Sequence, residues 1–286
     1  MRIRNSTVVL TGATGGIGSQ LASEFAKAGA RLILVGRDQV QLEALCKTLP
    51  PLPSGALLGH QTMAVDVLSI SCRRKLRDLC AQQDIDLLIN NAGINDFNLL
   101  EDADPEMLNR QIELNLTVPV LLAQQFLPLL RRRPVAAIVN IGSAFGSIGY
   151  PGYSAYCASK FGLRGFSEAL RRELADTSVR VLHVAPRATR TTLNSDRVVA
   201  MNEALGNAMD DPQQVARFIL HRVQHDRWGH CVIGWPERLY AWINAMLPAL
   251  TDGTLRKQLP VIRRFAASQS TVPTNTSNAD LRGENV

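Results

Sequence analysis

The chain has 286 residues and only five cysteines: Cys46, Cys72, Cys80, Cys157 and Cys231. Their number is odd, and none stands in a CxxC or Cys/His ligand spacing. Such a set excludes a disulfide framework and a zinc site and points to reduced thiols in the cytoplasm. Long apolar runs are also lacking. The stretch from Val118 to Leu130 is interrupted by Pro119, Gln124, Gln125 and Pro128, and so falls short of the ~20 apolar residues of a membrane span. Met1-Arg2-Ile3-Arg4-Asn5 runs straight into Thr7-Val8-Val9-Leu10, so no secretory leader is expected. There is no internal repeat, and no concentrated basic surface despite a formal charge of +6. Arg131-Arg132-Arg133, Arg171-Arg172 and Arg263-Arg264 lie far apart without interleaved aromatics. They read as solvated faces, and nucleic acid is not expected as a partner.

What remains is the composition of a globular α/β protein, 46% hydrophobic and 20% charged, of a length that suits one large domain with appendages. Over the first ~230 residues, short β-branched runs alternate with helical patterns, the mark of βαβ units around a parallel sheet. The spacing predicts strands at Thr7–Leu10, Arg31–Val35, Thr62–Val65, Leu87–Asn90, Ala136–Ile141, Val179–Val184 and Cys231–Ile233. Helices include Ser19–Ala28, Ser159–Ala175 and Pro212–Gln224. Seven nearly all-apolar strands imply a doubly wound sheet covered on both faces. Arg187 to Asp211 is polar and irregular and reads as a long loop over an active site. From about Ser268 to Val286 the Ser/Thr/Asn-rich text predicts a disordered tail.

Thr11-Gly12-Ala13-Thr14-Gly15-Gly16-Ile17-Gly18 follows the first strand and opens a helix. Glycines there allow a tight turn and a close approach of backbone to a pyrophosphate at a helix N-terminus. The second strand ends Gly36-Arg37-Asp38. An NAD-selective site wants a carboxylate for the ribose hydroxyls, whereas a 2′-phosphate wants room and a guanidinium. Gly36 and Arg37 therefore favour NADP(H) over NAD(H), with Asp38 as the opposing observation. Asp66-Val67 after the third strand is placed to meet an adenine edge or simply to end a strand. In Asn90-Asn91-Ala92-Gly93 the small residues permit close approach and the amides can bridge neighbouring strands.

Tyr156-Cys157-Ala158-Ser159-Lys160 puts a phenol and an ammonium four apart on one helical face. A phenol titrates near pH 10 and is a poor base at neutrality; a neighbouring cation is expected to lower its pKa. Ser143, just past the strand Ala136–Ile141, belongs at the carboxyl end of the sheet, where open α/β proteins bind ligands. Asn115 is a polar residue in an apolar helical stretch and needs a partner if buried.

Together, Thr11–Gly18 (TGxxxGxG), Asn90–Gly93 (NNAG), Asn115, Ser143, Tyr156 and Lys160 resemble the short-chain dehydrogenase/reductase family, in its smaller single-domain form, over roughly residues 5–234. The resemblance implies a Rossmann-like fold of about seven strands, homo-oligomers built through helices, and NADPH-linked interconversion of a carbonyl and an alcohol. It implies that Ser143 holds the carbonyl oxygen, Tyr156 exchanges the proton, Lys160 supports Tyr156 and the cofactor ribose, and Asn115 supports a relay water. It further implies cofactor contacts at Thr11, Gly12, Thr14, Gly15, Gly16, Ile17, Gly18, Arg37, Asp66, Val67, Asn91, Ala92, Gly93, Pro186, Thr189 and Thr191, with no metal. One position departs from the family: Arg187 stands where it usually has glycine after Pro186, and it reads as a surface turn residue ahead of a guanidinium placed near the nicotinamide or the substrate mouth. A non-catalytic nucleotide-binding, redox-sensing or membrane-associated scaffold of the same fold is the rival reading, and the complete tetrad weighs against it.

Beyond residue 234, Leu239, Trp242, Ile243, Met246, Leu247 and Leu250 form an apolar helical stripe that Pro248 kinks or ends. Leu255, Leu259 and Ile262 follow among Arg256, Lys257, Arg263 and Arg264. Residues 235–267 therefore read as an amphipathic extension that either walls the substrate pocket or an oligomer interface, or rests on an anionic membrane. The mixture of Met, Leu, Val and Asn between Arg187 and Asp211 suggests a medium-to-large, partly apolar substrate.

Overall fold

The computed structural model describes residues 1–52 and 58–267; the tail expected at 268–286 lies outside them. Strands β1 (Thr7–Thr11), β2 (Arg31–Gly36), β3 (Gln61–Ala64), β4 (Leu87–Asn90), β5 (Ala136–Ile141), β6 (Val179–Ala185) and β7 (Gly229–Val232) form one sheet in the order β3-β2-β1-β4-β5-β6-β7. Every pairing is parallel. Each predicted strand is present within two residues of its expected ends.

The sheet is buried on both faces, and successive strand residues feed opposite cores. Val8, Leu10, Leu32 and Leu34 pack toward α1 (Gly16–Lys27), α2 (Gln39–Thr48) and α8 (Pro212–Gln224), meeting Phe25, Leu42 and Ile219. Val9, Ile33, Leu88 and Ile138 pack on the other side. There they meet Leu76 of α3 (Ile70–Ala81), Phe126 of α5 (Val118–Leu130) and Leu170 of α6 (Ser154–Glu173).

The strand order reverses between β1 and β4, which opens a crevice at the carboxyl ends of those strands. The glycine turn after β1, the Asn90–Gly93 segment after β4 and Ser143 after β5 all converge on that edge. A third apolar cluster lies above it, where Phe97, Tyr153 and Tyr156 meet Val198, Met201, Ile262 and Ala266.

Two expectations are revised. The stretch Arg187–Asp211 is not wholly a loop, because Asp196–Ala204 forms helix α7; its turn-rich flanks had masked two buried apolar positions, Val198 and Met201. The apolar stretch ending at Leu130 belongs to a continuous run from Pro105, made of α4 (Pro105–Ile112), a π-helical turn (Glu113–Thr117) and α5. Those 26 residues are long and apolar enough to cross a bilayer by length and composition, yet Val118, Leu122, Phe126 and Leu130 are core. The expected break at Pro248 is present: α9 is Trp235–Met246 and α10 is Pro248–Ala266.

Phe126 is fully buried between sheet and helices, so Phe126→Ala should cost about 3–5 kcal/mol. Denaturant unfolding should show this as a lower midpoint with an unchanged slope.

Candidate active site

The turn after β1 is built for close approach. Gly12 has φ +62°, and a Cβ there would lie 2.8 Å from the Ala92 Cα; at Gly18 it would lie 2.0 Å from the Gly12 carbonyl oxygen. Only glycine fits either place. The Thr11 hydroxyl accepts from the backbone N–H of Asn91 at 3.0 Å and of Ala92 at 3.1 Å. Asn91 Nδ2 donates to the Thr11 and Gly12 carbonyls at 3.2 and 3.0 Å. The β4 motif therefore braces the glycine turn, as its bridging amides suggested. Helix α1 begins here with Gly15 at its N-cap and no side-chain cap, which leaves its first N–H groups for an anion.

A cavity of about 860 Å³ runs along this edge. Gly12, Thr14, Gly15, Gly16 and Ile17 line its nucleotide end with Arg37, Asp66 and Val67. Asn91, Ala92 and Gly93 form its floor, and Ser143, Tyr156, Lys160, Pro186, Thr189 and Thr191 surround its centre. Thr11, Gly18 and Asn115 stand behind the wall and act on it indirectly. Asp66 Oδ1 accepts from the Leu68 N–H at 3.0 Å, fixing the turn beside the cavity. Asp38 is taken up elsewhere: its carboxylate caps α2 by accepting from the Gln41 N–H at 3.1 Å.

At the centre, the Tyr156 phenol is hydrogen-bonded to Ser143. The Lys160 ammonium stands 5.6 Å from the centroid of the Tyr156 ring and donates to the Ile141 carbonyl at 3.1 Å. Burial pushes the phenol up to about 12, the Ser143 hydrogen bond opposing it, and pushes the lysine down to about 8. The expected lowering of the phenol by its neighbouring cation is thus reversed by desolvation. Asn115 lies in the π-helical turn and is fully buried. It accepts from the Ile94 N–H at 2.9 Å, and donates to the Ile94 carbonyl at 2.8 Å and to the Ser159 hydroxyl at 3.3 Å. Its Oδ1 and the Lys160 Nζ flank Gly93, where a Cβ would lie 2.9 and 3.8 Å from them.

The chain belongs to the short-chain dehydrogenase family. The family model, described as short chain dehydrogenase, matches residues 6–202. Dehydrogenase/reductase SDR family member 7B of Bos taurus is 34% identical over 229 residues, covering 76% of this chain and 70% of the relative. A short-chain dehydrogenase of Sphingobium yanoikuyae in complex with NADPH is 27% identical, with a TM-score of 0.71 over 86% of this chain and 96% of that one. A short chain dehydrogenase/reductase of Burkholderia phymatum in complex with NAD superposes with a TM-score of 0.77 at 19% identity, over 88% of this chain and 96% of the other. The protein is accordingly an NAD(P)-dependent oxidoreductase. The uncapped start of α1 beside glycines that admit no side chain fits the pyrophosphate of such a cofactor.

Several residues that shape this dehydrogenase site escaped the sequence reading. Tyr153 stacks among Phe97, Phe145, Tyr150 and Tyr156, with ring centroids 4.9 to 6.1 Å away. Asn140 on β5 accepts from Asn90 at 2.8 Å and donates to Ser167 of α6 at 2.8 Å. An asparagine inside the apolar strand Ala-Ala-Ile-Val-Asn-Ile was the available signal. Arg187, the departure from the family, is neither a bare turn residue nor a free cation. It donates to Asp210 at 2.8 Å through Nε and at 2.7 Å through Nη2, and lies 3.4 Å from Glu237 of α9. One guanidinium thus joins the β6 exit, the segment before α8 and the extension.

Restoring the family residue with Arg187→Gly leaves a half-buried Asp210 without its partner and should cost about 1–3 kcal/mol. It should raise KM for the carbonyl compound more than it lowers kcat, because the wall rather than the reacting groups is disturbed. Thermal unfolding and steady-state kinetics check both.

Proposed function

We propose that the protein is an NADPH-dependent reductase of medium-to-large hydrophobic ketones or aldehydes, with Asn115, Ser143, Tyr156 and Lys160 as its working tetrad. The observation that carries the proposal is the buried phenol of Tyr156, hydrogen-bonded to Ser143 beside the lysine at the end of β5. When bound, the dinucleotide supplies a hydride. Ser143 and Tyr156 together offer two hydroxyl donors to a carbonyl oxygen, which they polarise as negative charge develops. A phenol titrating near 12 is protonated throughout the working range, as a proton donor must be. Lys160 titrates near 8 and remains charged at neutrality, stabilising the phenolate left after donation. Asn115, clamped to both backbone groups of Ile94, holds the floor beside Lys160 and supports the water that returns the proton.

The preference for NADPH rests on Asp38. A carboxylate engaged in capping α2 is poorly available for a ribose hydroxyl; Asp38 shares an adjoining polar recess with Thr14, Arg37, Gln39 and Gln41, but of the two charged residues it is Arg37 that also lines the main cavity. That arrangement suits a 2′-phosphate. For the substrate, Phe145, Tyr150, Tyr153, Val198, Met201 and Ile243 line the far part of the cavity, where apolar bulk is rewarded and a small polar compound leaves surface unfilled.

Nicotinamide absorbance over a graded series of carbonyl compounds tests the reading. Turnover should rise with apolar size, and Tyr156→Phe should lower it about 10²–10⁴-fold while nucleotide still binds. Equal turnover by Tyr156→Phe overturns the mechanism. Arg37→Ala should lower kcat/KM for NADPH about 10–100-fold and leave NADH nearly unchanged. As pH rises through about 8, Lys160 loses its charge, so the reduction rate should fall on that side of the profile.

A further inference from the structure

We infer that the outer face of α9, with the start of α10, docks on an anionic lipid surface, and that the hydrophobic carbonyl substrate enters from that surface. The inference rests on the proposed reductase reading for its substrate and on independent observations for the docking.

Helix α9 contains no buried residue. On its inner side Tyr240 and Ile243 line the active-site cavity. On its outer side Trp235, Leu239, Trp242 and Met246 recur at spacings of four, three and four, which makes one continuous helical stripe. Their exposures are 73%, 44%, 61% and 63%, and Leu247 and Leu250 continue the patch at 55% and 61%. Isolated exposed apolar residues are ordinary, but a run of six across α9 and the start of α10 marks a binding face. Two of the chain's three tryptophans stand in it, and tryptophan is the side chain that settles at a bilayer's polar boundary.

Charge selects the partner. Within 235–267 the cations are Arg238, Arg256, Lys257, Arg263 and Arg264, all exposed, against only Glu237 and Asp252. Glu237 is held by Arg187, so the extension presents an excess of unpaired positive charge. Arg238 stands on α9 itself, so a two-fold contact between copies through that helix would bring this cation against its own copy. An anionic headgroup layer meets both the cations and the apolar stripe. Continuity with the cavity then assigns the route: Tyr240 and Leu250 line the cavity and are also half or more exposed. They form a rim shared by the pocket and the docking face.

Full-length protein sedimented with vesicles of phosphatidylcholine, alone or with one third phosphatidylserine, tests this. The anionic vesicles should carry the protein down at least ten-fold more effectively than the neutral ones, and high salt should reduce the difference. Trp242→Asp/Met246→Asp changes two residues outside the cavity. It should lower vesicle binding at least ten-fold and slow reduction of a long-chain carbonyl compound embedded in vesicles, while turnover of a short water-soluble one is unchanged. Negligible binding by the unaltered protein, or equal binding by the double variant, overturns the proposal. So does a double variant that loses oligomeric state in gel filtration with vesicle binding unchanged, which would give the face to a second copy. Vesicle binding by a protein that reduces no carbonyl compound would sink the reductase reading and leave the docking standing.

Discussion

The site depends on a lysine that is out of water. Lys160 is 6% exposed, and its charged form is disfavoured by burial. It survives because the carboxyl end of β5 aims the Ile141 carbonyl at Nζ and because little else nearby competes in charge. Directly behind it, His183 of β6 and His230 of β7 share a 2.9 Å contact between their Nδ1 atoms. One ring must donate and the other accept, so the contact suits two neutral imidazoles. Burial, followed for His183 by the repulsion of His230, Lys160 and Arg164, holds the pair at about 3 and about 4. The histidines thus fill the space behind the lysine without adding a second cation. Gly142 is part of the same arrangement, since a Cβ there would stand 2.3 Å from His183 Nε2.

The neighbouring constraint is backbone geometry. A regular helix from Pro105 to Leu130 would not present Asn115 with the same neighbours, and the π-helical turn at Glu113–Thr117 re-aims one residue without ending the helix. The amide so placed takes both polar groups of Ile94 and a hydroxyl of α6, tying the floor of the cavity to the helix that carries Tyr156 and Lys160. On the other side, Asn90, Asn140 and Ser167 pass hydrogen bonds from β4 through β5 to the same helix. Such a buried chain favours one arrangement through the bonds it makes, although the Asn90 Oδ1 has no hydrogen-bond partner among the described residues. Helix α6 is therefore positioned by side-chain amides at two levels, and by apolar packing of Leu163 and Leu170 only in part.

These devices differ in how far the sequence could reveal them. All seven strands and helix α8 were legible because an apolar run of fixed length between turn residues has few other uses, and because glycines at 12 and 18 announce a turn that excludes side chains. Ser143, Tyr156 and Lys160, picked out together in the sequence, do line one cavity, with Asn115 behind its wall. What escaped depended on tertiary distance. Whether Asp38 caps a helix or faces a nucleotide is decided by where α2 starts, which the letters Gly-Arg-Asp do not say. Whether Lys160 depresses the titration of Tyr156 depends on burial exceeding attraction. Helix α7 was hidden because Val198 and Met201 are its only fully buried apolar residues, beside a buried Asn202, on a short polar segment. Arg187 read as a turn residue because both its acidic partners come from later in the chain.

The substrate wall shows what those late partners accomplish. It is assembled from α7, α9 and α10, elements that share no sheet hydrogen bonds and lie beyond the catalytic core. Two arginines hold it. Arg187 fastens Asp210 and Glu237 to the exit of β6, while Arg197 of α7 donates to the carbonyl of Phe97, to Asn98 and to the carbonyl of Ala266 at the end of α10. Its guanidinium also lies 5.3 Å from the Phe97 ring centroid. Apolar contact adds to this where Ile262 and Ala266 of α10 close on Val198 and Met201. A wall fastened by a few charged clasps, on a sheet fixed by parallel ladders, separates two demands. Ser143, Tyr156 and Lys160 stay registered at the end of β5 and on α6, and the shape of the pocket is set by segments that can differ without moving them. The extension is thus part of the pocket on its inner side, while Trp235, Trp242 and Met246 leave its outer side apolar and exposed.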